Sequence, residues 1–218
     1  MKRFYQQELE DLRTKLILLG EKVNEAAQIA IDGFLENNPG KLKHALTLDD
    51  AIDQLESEIA QASVRYITLR SPVSVDVRFI FIAIKASHDL ERAGDEAQKI
   101  AAQAKKVLKQ DGSSGQTASI GEMSKLACMM MKNAITAFVE EDIELAKKII
   151  ERDKVVNKLN KSNFKFFSID CCNRADTENT THFQKIFISK SVERIADHAK
   201  NLAEEVIYLL TGNQETSE

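Results

Sequence analysis

Hydrophobic residues recur three and four positions apart through most of this 218-residue chain, which is the spacing that places them on one face of an α-helix. In the first half the pattern covers residues 4–35, 41–69 and 75–108. Residues 37–40 separate the first two segments, and Pro72 separates the second from the third, because proline and the residue before it are unfavourable in a helix. Three long helices are therefore predicted here.

The second half repeats this pattern less regularly. It predicts helices over residues 118–139, 142–167 and 183–210, with a polar loop over residues 170–181. In the middle segment, Arg152 and Asn163 stand at positions where the periodicity requires apolar residues. The hydrophobic face of that helix is consequently the poorest of the six.

A twelve-residue phrase occurs twice, at residues 90–101 and again at residues 192–203. Glu, Arg, Asp and two Ala residues recur at the same relative positions, and most other positions exchange similar residues, such as Leu90 for Val192. A repeat on this scale indicates two copies of one structural unit. The predicted fold is all-α, with two tandem antiparallel three-helix bundles packed side by side.

The boundaries between the copies follow from composition. We place the first bundle at residues 1–110 and the second at residues 118–212. Residues 111–117 have the Gly and Ser content of a linker, and residues 213–218 form a polar tail. Helices of about thirty residues are ~45 Å long, so an elongated molecule is expected.

Each copy carries acidic pairs on its middle and last helices. In the first copy these are Asp49 with Asp53 and Glu91 with Asp95, and residues four apart lie on the same helix face. If the antiparallel helices turn these faces toward one another, four carboxylates meet on one surface, and that charge needs neutralisation. Carboxylate oxygens are hard ligands, so the pattern predicts a site for Mg²⁺, Ca²⁺, Mn²⁺ or iron.

The second copy has a related but incomplete set. Asp153 aligns with Asp49, whereas Asn157 replaces the second acid of the middle helix, and Glu193 and Asp197 complete the set. An Asn oxygen can coordinate a cation but contributes no charge. Weaker or differently populated metal binding is therefore predicted in the second copy.

A bound metal is one of several ways in which these acids could be accommodated. Acidic side chains on helices usually form a solvated face, and Arg92 and Arg194, inside the repeated phrases, could neutralise them. An acidic flank could also meet basic groups on a partner, which would make the protein a metal-independent scaffold.

Composition excludes several classes of function. The net charge is -4, and the basic residues are interspersed with acids and form no stripe, so nucleic acid is not an expected partner. No apolar run approaches the ~18 residues of a membrane span, and no signal-peptide core follows the first residues. Cys128, Cys171 and Cys172 show no C-x-x-C spacing, which favours buried thiols in a reducing, intracellular setting.

An enzyme is not expected. Oxidative di-metal bundles use Glu-x-x-His pairs on facing helices, and all four histidines here have a non-acidic residue three positions earlier. His198 follows Asp197 but is interpreted as a surface or partly packed side chain. No phosphate-binding glycine loop and no nucleophile-base arrangement is present in the sequence, and a metal-storage or oxidase bundle is the least favoured alternative.

These motifs together resemble the PhoU family of phosphate-specific transport accessory proteins, over nearly the whole chain. The shared features are Asp49-x-x-x-Asp53-x-Leu55, Asp76-x-Arg78, Leu90-Glu91-Arg92-x-x-Asp95, Val192-Glu193-Arg194-Ile195-x-Asp197-His198 and Val206-Ile207-Tyr208-Leu209-x-Thr211-Gly212. The chain departs from the family pattern at Asn157 and over residues 164–187.

The resemblance implies a cytoplasmic negative regulator of phosphate uptake and of phosphate-starvation signalling. It implies contacts with the ATPase of a phosphate ABC transporter and with a sensor histidine kinase, a homodimer, and no insertion into the membrane. It also implies metal clusters at the paired acidic motifs, in the present numbering Asp49, Asp53, Glu91, Asp95, Asp153, Glu193 and Asp197, with Asn157 in doubt. The expected cofactor is a divalent or trivalent ion, iron, manganese, magnesium or zinc.

Overall fold

The computed structural model describes residues 2–111, 117–172 and 176–213. In these ranges it contains helices and short turns and no β-strand, which confirms the all-α prediction. The helices are α1 (Lys2–Leu35), α2 (Pro39–Thr47), α3 (Asp49–Arg70), α4 (Val75–Asp111), α5 (Ala118–Glu140), α6 (Ile143–Cys172) and α7 (Asp176–Thr211).

The second predicted helix is two helices, so the prediction of one continuous helix over residues 41–69 is wrong. The Asn38 side chain accepts hydrogen bonds from the backbone N–H groups of Gly40 (3.0 Å) and Lys41 (3.2 Å), and this cap starts α2. The chain then breaks at Leu48, and Asp49 opens α3 at a helix N-terminus, where an acid is favourable. The hydrophobic periodicity did not predict the break at Leu48, because the three-four spacing of apolar residues continues across it.

The predicted loop over residues 170–181 is also mostly helical. Helix α6 continues to Cys172 and α7 begins at Asp176, while residues 173–175 lie outside the described part of the chain. The ring of buried Phe167 lies 5.9 Å from that of buried His182, so packing near the tip of this hairpin holds both helices. A run of polar residues alone does not end a helix that tertiary contacts support.

Each copy is a three-helix bundle, and the two copies share one core. Helices α1, α3 and α4 pack together in the first copy, and α5, α6 and α7 in the second. Between the copies, α4 lies antiparallel to α7, and α1 lies antiparallel to α5. One hydrophobic cluster extends through both, from Leu19 and Ala93 to Met130 and Ile195. Helices α3 and α6 lie at opposite edges of the assembly.

Small residues set the distance between α3 and α4. A Cβ atom added at Gly94 would lie 3.1 Å from both Cδ1 and Cγ2 of Ile52, which is closer than ordinary van der Waals contact. The absent side chain therefore lets the two helices approach, and this approach determines how near their acidic pairs lie.

The predicted linker and tail fall largely outside the described residues. Residues 112–116 and 214–218 are not described. Among the described helices, none has the combination of length and apolarity that crossing a bilayer requires.

Candidate metal-binding sites

In the first copy, the acidic pairs of α3 and α4 lie side by side. Burial and then the charges of Asp53 and Asp95 raise the pKa of Asp49. Burial and the charge of Asp95 likewise raise the pKa of Glu91, with a further contribution from Asp53 and opposition from Arg92. Because carboxylates on each helix raise the pKa of a carboxyl group on the other, the four carboxyl groups form one electrostatic cluster.

Some neutralisation of this first cluster is internal. The amide of Gln98 donates to Oδ2 of Asp49 at 2.6 Å. Arg92 approaches Asp95 at 3.3 Å and Glu91 at 3.5 Å, although more than half of the Arg92 side chain is exposed. Oε2 of Glu91 is buried and accepts no hydrogen bond. The 3.5 Å contact of Arg92 is with this same oxygen, so arginine neutralises the first cluster in part by charge, without a hydrogen bond to Oε2.

In the second copy, the α6 members are more deeply buried. Asp153 is only 5% exposed, and Asn157 donates its amide to Oδ2 of Asp153 at 2.8 Å. Oδ1 of Asp153 accepts no hydrogen bond from an N–H or hydroxyl group, and the carboxyl groups of Asp153 and Asp197 lie close enough to share a proton. The residue that departs from the acidic pattern therefore stabilises the neighbouring carboxylate without removing its need for a further positive group.

The α7 members complete this second cluster. Burial, then the charges of Glu193 and Asp153, raise the pKa of Asp197 to about 6. Burial also raises the pKa of Asp153, where Lys200 acts against the shift. The ammonium of Lys190 pairs with Glu193 at the exposed rim. A carboxyl group with its pKa near 6 indicates negative charge that the protein only partly compensates.

The second arginine does not neutralise its own acidic pair. Arg194 extends to α4, where Nη1 lies 3.1 Å from Oε1 of Glu96. Neutralisation by arginine therefore occurs at Arg92 and not at Arg194, although the two residues occupy equivalent places in the repeat.

The donor chemistry of both clusters fits a hard cation. All candidate ligands are carboxylate or amide oxygens, which suit magnesium, manganese or iron better than a thiol-preferring metal. Each cluster holds a buried oxygen that accepts no hydrogen bond, Oε2 of Glu91 and Oδ1 of Asp153, although Oε2 of Glu91 lies 3.5 Å from Nε of Arg92. In the described part of the chain, however, no three His, Cys, Asp or Glu side chains stand in an arrangement that could hold a metal ion.

A polar contact between the copies was not found from the sequence. Oδ1 of Asp89 accepts a hydrogen bond from Asn201 at 3.2 Å and lies 3.1 Å from Nδ1 of His198. Burial alone would raise the pKa of Asp89, but the bonds from His198 and Asn201 outweigh it and the pKa is lowered. In the repeat alignment Asp89 corresponds to Ser191 and His198 to Glu96, and Ser191 does bond to Glu96. The contact of Asp89 with His198 and that of Ser191 with Glu96 are therefore equivalent contacts across the α4–α7 interface. The alignment of the two repeats is the sequence feature from which this equivalence could have been predicted.

The sequence also matches a known family. A sequence model of the PhoU domain matches residues 16–104 and again residues 120–206. A protein of Pseudomonas aeruginosa described as "Phosphate-specific transport system accessory protein PhoU homolog" is 31% identical over 94% of this chain and 84% of its own length. A protein of Caulobacter vibrioides with the same description is 32% identical over 98% of this chain and 93% of its own length.

Solved structures show the same architecture. The crystal structure of PhoU from Pseudomonas aeruginosa superposes with a TM-score of 0.91 at 30% identity, covering 96% of this chain and all of the other. The phosphate transport system regulatory protein PhoU from Streptococcus pneumoniae gives a TM-score of 0.88 and covers 98% of this chain and all of the other. At 24% identity, this second likeness concerns the fold.

Proposed function

The chain belongs to the PhoU family, and on that premise we propose that it is a cytoplasmic negative regulator of phosphate uptake and phosphate-starvation signalling. Its relatives are described as accessory proteins of phosphate-specific transport, which supports association with the transport machinery. We assign it no catalytic activity. Its action is through protein contacts, with the ATPase of a phosphate ABC transporter and a sensor histidine kinase as partners and a homodimer as the working form.

The two acidic clusters support a mechanism that uses metal. Both copies place acids of the middle and last helices in one electrostatic cluster, and each cluster holds a buried carboxylate oxygen that accepts no hydrogen bond. Such an arrangement is costly for a scaffold alone, because like charges and buried oxygens that accept no hydrogen bond both destabilise it. A bound cation would remove both costs.

The candidate ligands follow from position. In the first copy they are Asp49, Asp53, Glu91 and Asp95. In the second copy they are Asp153, Asn157, Glu193 and Asp197. When bound, an iron, manganese, magnesium or zinc ion supplies positive charge between the helices. The residues then hold α3 against α4 and α6 against α7, which gives the outer face of each hairpin a defined shape for docking.

Metal binding is tested by neutralising one pair. The double substitution Glu91→Gln with Asp95→Asn removes two charges from α4 without changing side-chain size, and we expect it to reduce the bound metal of purified protein by about half. The matched control is Glu21→Gln with Glu25→Gln, an acidic pair at the same spacing on exposed α1 positions that face no second pair. Metal content is measured by elemental mass spectrometry after purification in the presence of each ion. Equal metal content in both double variants would remove the site.

The regulatory role has a separate test. In cells whose own family member is deleted, we expect a phosphate-starvation reporter to be active at high phosphate and expression of this chain to repress it. Failure of the wild-type chain to repress, at normal expression and with the cognate transporter present, would contradict the function and leave the metal result standing.

A metal-independent scaffold is the second candidate. The contacts of Arg92 with Glu91 and Asp95 favour it, because they supply positive charge from within the chain. The two candidates differ in one outcome. The scaffold predicts that the variant with Glu91→Gln and Asp95→Asn represses the reporter as wild type does, whereas the metal mechanism predicts partial or complete loss of repression.

A further inference from the structure

The outer side of α6 carries several lysines that are separated in the sequence but lie together on the helix. Lys154, Lys158, Lys161 and Lys165 are all exposed, and their spacing of three and four residues places them along one side of the helix. We call these four residues the lysine face. They extend over about 17 Å of helix at 1.5 Å per residue. The expectation that basic residues form no stripe is therefore wrong for this helix, because helical geometry aligns lysines that other residues separate in sequence.

The lysine face is not neutralised within the described part of the chain. None of its four ammonium groups forms an ion pair there, in contrast to Lys15 of the first copy, which binds Glu58 at 2.7 Å. The whole chain carries a net charge of -4. The positive charge of the lysine face is local, because the protein as a whole is negative. An anionic partner is therefore attracted only when the α6 edge of the molecule faces that partner.

Exposed apolar side chains lie beside the lysines. Val155 is 49% exposed, Phe166 47% and Ile169 55%, and in an ideal helix they fall on the flank adjoining the lysine face. The ring of Phe166 also contacts buried Phe167 edge-on at 5.3 Å, so it is supported from beneath. A row of lysines beside a short apolar strip that contains Phe is typical of helices that lie on membrane surfaces.

The shape of this edge favours a flat occupant. Helix α6 contacts only α5 and α7 among the described helices and forms a convex rim of the molecule, with its charges spread in a line. A line of point charges on a convex helix matches the laterally uniform charge of an anionic bilayer. Acidic peptide motifs are instead typically recognised by arginine clusters, and the lysine face contains no arginine.

We propose that the lysine face, together with Val155, Phe166 and Ile169, binds the surface of an anionic lipid bilayer. The contact is peripheral: the ammonium groups lie among lipid phosphates, and the apolar side chains reach the level of the headgroups. This inference does not depend on the metal sites or on repression of the reporter. It places α6 against the membrane and leaves the α3 edge directed away from it.

The test uses full-length protein and sedimentation with sucrose-loaded vesicles. We expect binding to vesicles of phosphatidylcholine with about one-third phosphatidylglycerol, and at least tenfold weaker binding to pure phosphatidylcholine. Binding should also weaken as salt rises, because salt screens the charges. Changing all four lysines of the lysine face to Gln should reduce partitioning at least tenfold. Changing Phe166 and Ile169 to Ser should leave the dependence of binding on salt concentration as in the wild type. At high salt, where the charges are screened, this variant should bind anionic vesicles more weakly than the wild type.

A matched variant separates the face from overall charge. Lys43, Lys106, Lys125 and Lys132 are exposed lysines on α2, α4 and α5, and changing these four to Gln alters net charge by the same amount. We expect this control to bind as wild type does. Equal loss in both fourfold variants, or wild-type binding to anionic vesicles no stronger than to neutral ones, would overturn the proposal. Circular dichroism establishes that each variant is folded, which exposed Lys→Gln changes are expected to preserve.

Discussion

At the scale of single residues, the acidic clusters have a measurable energetic signature. The carboxyl of Asp197 has a pKa raised from 3.8 to about 6, first by burial and then by Glu193 and Asp153. The folded chain therefore binds this proton more tightly than the unfolded chain does. Without metal, the contribution of Asp197 to stability is most favourable below pH 3.8 and is lost as the pH rises through about 6.

Replacing this carboxyl by an amide tests its energetic effect. In the presence of a chelator at pH 7, we expect Asp197→Asn to increase the free energy of unfolding by about 1–2 kcal/mol. The gain should shrink as the pH is lowered from 7 to 4, because the wild-type carboxyl then becomes neutral as well. Urea unfolding at several pH values measures it. A variant less stable than wild type at pH 7 would show that the cluster is already neutralised by the protein.

The same residue should reverse its effect when metal is present. A ligand that binds only the folded state adds stability by mass action, and Asp197→Asn weakens the binding of that ligand. Stability of the wild-type chain should therefore rise above that of the variant on adding the native ion. This reversal distinguishes a metal site from a group of acids with only a structural role.

At the scale of helices, Gly94 sets the approach of α3 to α4. A methyl group there would stand 3.1 Å from two atoms of Ile52, and one of them, Cγ2, is fixed close to the backbone. Gly121 provides the comparison, since a Cβ at that position meets only the tips of Leu35 at 3.4 and 3.5 Å. The two glycines therefore separate the cost of crowding from the benefit of a better helix former.

We expect opposite outcomes from the two Gly→Ala substitutions. Gly121→Ala should stabilise the protein by up to about 1 kcal/mol through helix propensity, whereas Gly94→Ala should destabilise it by about 1 kcal/mol through overpacking. Thermal unfolding followed by circular dichroism measures both. Because Gly94 stands between Glu91 and Asp95 on α4 and packs against Ile52, which stands between Asp49 and Asp53 on α3, its substitution should also lower metal affinity. Two stabilised variants would mean that Ile52 moves aside freely.

At the scale of the whole molecule, the α4–α7 interface joins the copies through partly buried polar groups as well as the shared core. Asp89 is held by His198 and Asn201, with its pKa lowered by those bonds against the effect of burial. A carboxylate with a lowered pKa stabilises the fold above its unfolded pKa of 3.8 and ceases to do so as the pH falls through its folded value.

Removing that charge should weaken the whole protein rather than one copy. We expect Asp89→Asn to cost about 2 kcal/mol at pH 7 through loss of charge-assisted hydrogen bonds, with a single unfolding transition retained because the core is continuous. Glu10→Gln, at an exposed α1 position, should change stability by less than about 0.5 kcal/mol. Scanning calorimetry measures both. Separation into two transitions would show that the copies unfold independently.

Much of this architecture was determined by the sequence itself. Three-four periodicity located every long helix because a helix must bury one face, and that requirement repeats along the chain. The duplicated phrase that includes Glu91, Asp95, Glu193 and Asp197 identified two copies and their candidate ligands, because helical spacing alone places residues four apart on one face.

Only the tertiary structure decided the remaining features. The break at Leu48 and the helical ends at Cys172 and Asp176 depend on caps and packing that periodicity does not contain. Arg92 and Arg194 occupy equivalent places in the repeat but pair differently, one within its own cluster and the other with Glu96 of the opposite copy. Which charge a long side chain meets depends on the neighbouring helix. The partners of a flexible cation are therefore a property of the packed molecule and not of its local sequence.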